Sequence, residues 1–362
     1  MNIGIKTWQI FPQEICNKRN SGILLKILVI GLGSMGKRRI RNLLKLGYSN
    51  ILGFDSREDR RNETYRNYGI KTVSTINNAL EQRPNVMIIS TPPDLHLKYA
   101  EIAIKKNINF FMELNLLSND VKEIIKKTTK KRIIALPSCT MRFHPIVKEL
   151  KKLLDKRTIG KILTINHHSG QFLPNWHPWE DYRDFFVSKR ETGGARETIP
   201  IELAWLTYLF SEIKSVYANI DKVSKLDADI DDVYQILLEF KNNILCNMMI
   251  DVISIPSFRE TKIIGEKGSI ICDFNSGTIK INKGKEWKEI KLKMGRIAKG
   301  YNGAIPPETV YEEEIKSFLD AVKKRKKYPY TLISELNILK ILDAAEISSK
   351  KGKKIILQQY AN

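Results

Sequence analysis

Long apolar runs are missing from this 362-residue chain: nothing approaches the roughly 18 uninterrupted apolar residues that a membrane span needs. Cysteine is scarce. The four present, Cys16, Cys139, Cys246 and Cys272, stand far apart with no CxxC pair. That excludes a paired-cysteine zinc site or a disulfide framework and fits a reducing cytoplasm. The five histidines form no set with carboxylates at ligand spacing, so no metal is expected. There is no helix-turn-helix, zinc finger or RNP-like segment, no internal repeat and no low-complexity linker. The opening segment, MNIGIKTWQIFPQEICNKRNSG, does not read as a secretory leader, because Lys6, Gln9, Gln13 and Glu14 interrupt it. Residues 1–22 are expected to be a poorly ordered N-terminal extension.

Charge of one sign is in excess: 61 Lys plus Arg stand against 40 Asp plus Glu, a formal net charge of +21. The basic residues fall on solvent faces such as IKKTTKK, VKKRKK and INKGKEWKEIKLK. Spread in this way they read as a lysine-rich bias and not as a nucleic-acid stripe, although the excess would still attract an anionic ligand. With 42% hydrophobic and 28% charged residues, the chain has the make-up of a soluble globular protein of two ordinary domains.

From Leu24 the pattern becomes regular. LLKILVIG, NILGFD, NVMIIS, NFFMEL and RIIALPS are short apolar runs, separated by MGKRRIRNLLKLG, SREDRRNETYRNYG, DLHLKYAEIAIKKN and SNDVKEIIKKTTKK, which carry helical character. This alternation predicts an α/β domain over residues 23–140, with a parallel sheet and helices on both faces. After Ser138 the strands lengthen and their connections shorten. Residues 141–362 are expected to form an α+β domain with an open, mostly antiparallel sheet, closed by helices in PETVYEEEIKSFLDAVKKRKK and TLISELNILKILDAAEISSKKG.

The strongest local signal is Gly31-Leu32-Gly33-Ser34-Met35-Gly36, between the first strand and the first helix. Such glycines permit a tight turn, backbone approach to a pyrophosphate, and close helix–strand packing. The phosphates would meet the positive end of the helix dipole. Asp55, at the end of the second strand and roughly 20 residues on, stands where a ribose-binding carboxylate belongs. Asp55 would repel a 2′-phosphate, which favours NAD; neighbouring Arg57, Arg60 and Arg61 leave NADP open. Ser90-Thr91-Pro92-Pro93-Asp94-Leu95-His96 ends another strand, where ligands of such sheets collect. The same segment also reads as a plain strand-to-helix turn with Asp94 as its cap.

GLGSMG, Asp55, STPPDLH and the later FMELN stand in the order found in the Gfo/Idh/MocA oxidoreductases, the glucose–fructose oxidoreductase and inositol dehydrogenase family. Met141-Arg142-Phe143-His144-Pro145, TIGKILTIN, Gly193-Gly194 and AAEISSKKGKKIIL also resemble that family, so the likeness runs from about residue 24 to 358. It implies a Rossmann domain, a second domain on an open sheet, and pyridine-nucleotide redox chemistry on a sugar or polyol. It also implies cofactor contacts at Gly31, Gly33, Ser34, Met35, Gly36, Asp55, Ser90, Thr91, Pro92, His96 and Glu113. Exposed sheet faces pair in this family, so a dimer or tetramer is expected. Two departures stand out. The family usually has Glu-Lys-Pro after the fifth strand, with a catalytic lysine, and this chain has Glu113-Leu114-Asn115. The family also places a histidine on the helix after the double glycine, and here that place falls on Pro200 or Ile201.

Substitutes for the missing acid–base groups are therefore sought nearby. Asn175-Trp176-His177-Pro178-Trp179-Glu180-Asp181-Tyr182-Arg183 gathers aromatics, a histidine and an arginine in one loop. Its rings would stack on a sugar or base while Arg183 held a phosphate or carboxylate, or else Trp176 and Trp179 are simply core or dimer contacts. The loop resembles family members encoded with surface-polysaccharide genes, which implies a nucleotide-linked or acidic sugar. The expected catalytic residues are His177, Glu197 and Arg142, and the expected substrate contacts Arg142, Trp176, His177 and Arg183. Glu202 reads as a salt-bridge partner, at most one of His167 and His168 faces the site, and His144 is expected near the nicotinamide with Arg142. The function read here is an NAD(P)-dependent oxidoreductase acting on a sugar or nucleotide sugar in surface-glycan biosynthesis. Its alternatives are a dinucleotide-binding protein without hydride transfer and, further off, a nucleic-acid binder.

Overall fold

The computed structural model describes residues 25–177, 180–298 and 305–357. The extension expected over residues 1–22, and Trp179, lie outside them. The first sheet takes β1 (Ile27–Ile30), β2 (Ile51–Phe54), β3 (Lys71–Val73), β4 (Val86–Ile89), β5 (Asn109–Met112) and β6 (Ala135–Pro137). They are joined by α1 (Ser34–Lys45), α2 (Glu58–Tyr68), α3 (Ile76–Glu81), α4 (His96–Lys105) and α5 (Ser118–Thr128). All strands run parallel in the order β3-β2-β1-β4-β5-β6. Every residue of β1, β2 and β4 is buried, which is why these strands read as continuous apolar runs and not as alternation. The strand order reverses between β1 and β4, and an open α/β sheet offers its ligand crevice at that point.

Among the described residues the second sheet has nine strands, in the order β14-β13-β12-β11-β7-β10-β9-β8-β15. In chain order, after α6 (Pro145–Asp155), these are β7 (Ile162–Gly170), α7 (Ala195–Phe210), β8 (Ile213–Asp221), β9 (Val233–Phe240), β10 (Leu245–Asp251), β11 (Phe258–Gly265), β12 (Gly268–Asp273), β13 (Thr278–Asn282), β14 (Trp287–Lys291), α8 (Glu308–Val322), α9 (Leu332–Lys351) and β15 (Ile355–Ile356). Only the β7–β10 pair is parallel, so the sheet is mostly antiparallel as its short connections predict. Its strands alternate. In β9, Ile236 and Leu238 are buried while Gln235 and Leu237 look outward. One face packs on α7 and α9; the other is open and exposes Tyr217, Leu237, Leu245 and Ile264.

The last two long helices return to the first sheet. α8 packs on α1, where Glu314 is fully buried against Arg39 at 2.8 Å and Glu308 takes Arg38 at 2.8 Å. α9 packs on α5 and β6 as well as on α7 and β8. Residues 305–357 thus clamp the two sheets together over the crevice between them.

Candidate functional site

The glycine turn is tight because its atoms leave no room for a side chain. Gly31 has φ +84°, and a Cβ there would lie 2.6 Å from the Ser90 carbonyl oxygen; at Gly36 a Cβ would lie 1.7 Å from the Gly31 oxygen. Gly33 differs: its open side meets nothing nearer than the Arg60 guanidinium at 3.4 Å. The α1 N-terminus behind it has no side-chain cap. A backbone cradle at an uncapped helix start, open on one side, is the shape that a pyrophosphate requires. Asp55 closes the adjoining edge. Its Oδ2 accepts from the Leu32 N–H at 2.7 Å and its Oδ1 from the Arg57 N–H at 2.9 Å, with the Arg60 guanidinium at 3.9 Å. The carboxylate therefore faces the cradle and is not the N-cap of α2. Of the three nearby arginines, Arg57 is engaged with Asp59 and Arg61 with the Asp55 and Ser56 carbonyls. Arg60 lines the crevice.

From the cradle the crevice runs over the carboxyl ends of β4, β5 and β6 to the inner face of the second sheet. Ser34, Met35, Ser90, Thr91, Pro92, His96 and Glu113 all line it. Glu113 is gripped bidentately by Arg39 at 2.6 and 2.8 Å and also accepts from the Ser90 hydroxyl at 3.1 Å. Both His96 ring nitrogens are engaged, one with the Thr91 carbonyl and the other with the Asn115 side chain, each at 2.9 Å. Burial keeps that imidazole below its usual pKa. His96 therefore fixes the Thr91 carbonyl, and Asn115 is held in turn by Glu335 of α9.

Beyond the cradle the polar apparatus thins out. Leu114 and Ile201 both line the crevice. Of the two places open to the family histidine, Ile201 is thus the one facing the ligand, and neither it nor Leu114 carries a proton. Glu197, in the first turn of α7, lines the same wall; its Oε2 is buried without a hydrogen-bond partner. Burial lifts its carboxyl to about 8. Trp176 lines the crevice with its indole N–H buried and unpartnered, and the Thr91 hydroxyl is in the same condition. His177 stacks on Phe185 at 5.0 Å with Nδ1 3.2 Å from Glu180. Burial depresses its pKa, with Glu180 opposing and the Arg38 and Arg60 charges adding to the shift.

Three residues expected in the site lie elsewhere. Arg142 donates to the Ala204 and Pro329 carbonyls and is held between the Tyr208 and Tyr330 rings, so its charge is spent on joining α7 to the segment before α9. Arg183 lies on the surface, paired with Asp181 and Asp227, and does not line the crevice. His144 is buried as the N-cap of α6, where Nδ1 accepts from the Ile146 N–H at 3.2 Å, and burial pulls its pKa down to about 3. Glu202 is fully buried with Arg259 at 2.9 Å, the Trp205 indole N–H at 2.6 Å and His167 at 3.1 Å. Burial alone would raise its carboxyl, but these partners more than offset that and hold it low. Ser169, Gln171 and Arg259 close the far end of the crevice and carry no local sequence signal: Ser169 and Arg259 are brought together by the β7–β11 register, and Gln171 follows the end of β7. Among the described residues no cluster of His, Cys, Asp or Glu is placed to hold a metal ion, and no helix is long and apolar enough to cross a membrane.

Comparison with known proteins follows the same division. Residues 25–135 match the oxidoreductase family with NAD-binding Rossmann fold, and residues 147–271 match the GFO/IDH/MocA C-terminal domain. Among curated proteins, an "Oxidoreductase P35" of Formosa agariphila is 24% identical over 232 residues, covering 62% of this chain and 71% of that protein. A myo-inositol 2-dehydrogenase of Thermotoga maritima is 29% identical over 142 residues, 38% of this chain and 42% of that one. Of solved structures, an oxidoreductase from Agrobacterium radiobacter in complex with NAD+, L-tartaric acid and magnesium superposes with a TM-score of 0.81 at 13% identity, covering 93% of this chain and 99% of that one. Levoglucosan dehydrogenase in complex with NADH and levoglucosan gives 0.78 at 17% identity, covering 92% and 99%. At these identities the superpositions speak for the fold.

Proposed function

The chain belongs to the GFO/IDH/MocA oxidoreductase family, with an NAD-binding Rossmann domain, and on that premise we propose that it interconverts a hydroxyl and a carbonyl on a sugar or nucleotide sugar. The observation that carries this reading is the unbroken crevice from the Gly33 cradle to Ser169 and Gln171 on the second sheet. It joins a site shaped for a dinucleotide to one lined by aromatic rings and a few polar groups, the make-up of a small polar-ligand pocket. NAD, when bound, supplies the hydride acceptor. Gly31, Gly33 and Gly36 would admit the pyrophosphate to the α1 N-terminus, with Ser34 and Met35 beside it. Asp55 would accept from the ribose hydroxyls. Ser90, Thr91, Pro92 and Glu113 would line the nicotinamide half, with His96 fixing the Thr91 carbonyl. Trp176 and His177 would cover the ligand from the second sheet's side. A role in surface-glycan assembly rests on the likeness of the 175–183 loop to family members encoded with such genes.

Leu114 and Ile201 favour one other reading, a protein that holds the dinucleotide without turning it over. Mixing the protein and NAD with a panel of sugars and nucleotide sugars, and following the NADH absorbance band in a single turnover, separates the two. A substrate-dependent change supports the oxidoreductase; a cofactor whose redox state never changes leaves the binder. The open sheet face bearing Tyr217, Leu237, Leu245 and Ile264 would seat a second copy, giving a dimer or tetramer. Light scattering on wild type and on Leu237→Lys tests that assembly.

A further inference from the structure

We propose that Glu197 is the group that exchanges the substrate's hydroxyl proton, with the Trp176 indole N–H donating to the same substrate; this rests on the oxidoreductase reading above. Both side chains line one crevice, and both keep a polar atom buried and unpartnered. A buried donor or acceptor left unpaired costs on the order of 1–3 kcal/mol. Most such groups in a folded protein are satisfied, so these two atoms, in a cleft where the Thr91 hydroxyl is also unpartnered, indicate a hydroxyl-bearing occupant. Leu114 and Ile201, on the same walls, carry no proton.

The charged groups on α7 and on the elements around it are engaged elsewhere. On α7 itself Arg196 is paired with Glu346 of α9 at 2.6 Å. Arg142, on the turn before α6, is bound to two carbonyls. Asp251 of β10 takes His168 at 2.7 Å, Arg259 of β11 takes Glu202, and Glu335 of α9 takes Asn115. Across the crevice His177 is turned to Glu180. Among the described residues no counter-charge stabilises the Glu197 carboxylate, and burial lifts the carboxyl to about 8. The first turn of α7 opposes this by up to about 1 kcal/mol, since helix N-termini favour anions. A carboxyl poised near neutrality serves as acid in one direction and base in the other. In oxidation the substrate O–H bond breaks and its proton passes to the Glu197 carboxylate. The carbon–oxygen double bond forms as the C–H electron pair leaves as hydride for NAD. In reduction protonated Glu197 returns the proton to the forming alkoxide.

The test uses Glu197→Gln and Glu197→Asp in the full chain, with three readouts: NADH binding by fluorescence, kcat against pH, and pH-difference infrared spectra in the carboxylic-acid region. Glu197→Gln should bind NADH as wild type does and lose roughly 100-fold or more in kcat, the ordinary share of a general acid–base group. Glu197→Asp should recover part of that loss. Glu335 shares such a band in both proteins, so the readout is the wild-type minus Glu197→Gln difference, which should contain a carboxylic-acid band that titrates away in mildly alkaline solution. Turnover of Glu197→Gln within a few fold of wild type, with an unchanged pH profile, overturns the proposal. If wild type turns over no sugar at all, the oxidoreductase reading is what fails. The infrared band then decides for Glu197: a titrating acid supports its proton-holding role, and a carboxylate already ionised at neutral pH overturns it.

Discussion

The two ends of the crevice are built on opposite terms. At the cradle the working parts are backbone: three glycines, an uncapped helix start, and a carboxylate pinned by two amide N–H groups. Around them Glu113, His96 and Asn115 are locked to Arg39, the Thr91 carbonyl and Glu335, so this end is preorganised. At the α7 end the working parts are side chains, and two of them keep buried polar atoms without partners. Holding a dinucleotide needs a shape that few sequences make, whereas moving a proton needs one titratable group within reach, which a different wall of the same cleft can supply. The first requirement resists change, and the second tolerates Leu114 and Ile201.

Gly36→Val should expose that contrast most strongly. Its Cβ would start 1.7 Å from the Gly31 carbonyl oxygen, a backbone atom that cannot swing aside. The loop must open or α1 must move, at a cost of about 1–3 kcal/mol or more for overpacking. NADH binding, read by fluorescence, should fall below detection while Tm drops by several degrees. Retained NADH affinity would mean that the cradle does not hold the dinucleotide.

A pH experiment on stability sharpens the other end. Glu197 and Glu335 are both lifted by burial to about 8, against about 4.3 in an unfolded chain. Between those values the folded protein keeps protons that the unfolded chain has released, so stability falls as pH rises through that window. Replacing either with Gln removes its share. Each variant should therefore gain in Tm relative to wild type, by a few degrees between about pH 5 and pH 8. The two should differ in one respect. Glu197 opens into the crevice and Glu335 is sealed beneath Asn115, so saturating NADH should alter the Glu197 contribution and leave that of Glu335 unchanged. Calorimetry across pH with and without NADH reads both; equal responses would place Glu197 outside the ligand's reach.

A smaller effect is expected at Arg60, which stands over Gly33 and 3.9 Å from Asp55. It is the arginine of its cluster that would meet a 2′-phosphate or the pyrophosphate. Arg60→Ala should weaken NADH binding by less than about tenfold, since a partly exposed cation contributes modestly. NADP binding should weaken more than NAD binding. An unchanged NADP-to-NAD ratio would leave Asp55 alone to set the choice.

Sequence showed the cradle because its determinants are local. Gly31, Gly33, Gly36 and Asp55 act through backbone geometry within one strand–helix–strand unit, and the parallel and antiparallel sheets followed from strand spacing. What it hid was pairing over long distances. Arg142 is expected from sequence to be a catalytic and substrate-contacting residue, yet it donates to the Ala204 and Pro329 carbonyls. His144 is expected from sequence beside the nicotinamide, yet its Nδ1 caps α6 and its ring packs on Phe274. Arg259 gave no signal, because its partner Glu202 is on another element and its place in the crevice depends on the β7–β11 register.

The smallest expected effect is the one that separates the sequence's candidate from the structure's. By type and by neighbours, Arg183 has the look of a substrate anchor, in a loop rich in aromatic rings. In the fold it is exposed, bonded to Asp181 from Nε and Nη2 and to Asp227 from Nη1, and it does not line the crevice. Exposed pairs of this kind are screened by solvent and salt, and losing one changes little. Arg183→Ala should thus leave kcat/KM for any anionic sugar within about twofold of wild type, at low salt and at high salt alike. Trp176→Phe, which keeps the ring and deletes the buried indole N–H, should raise KM for the same substrate while NADH binding is preserved. If Arg183→Ala instead raises KM steeply and the loss grows at low salt, the loop must swing inward when substrate binds. The anion would then be held by a residue that the fold described above keeps at its surface.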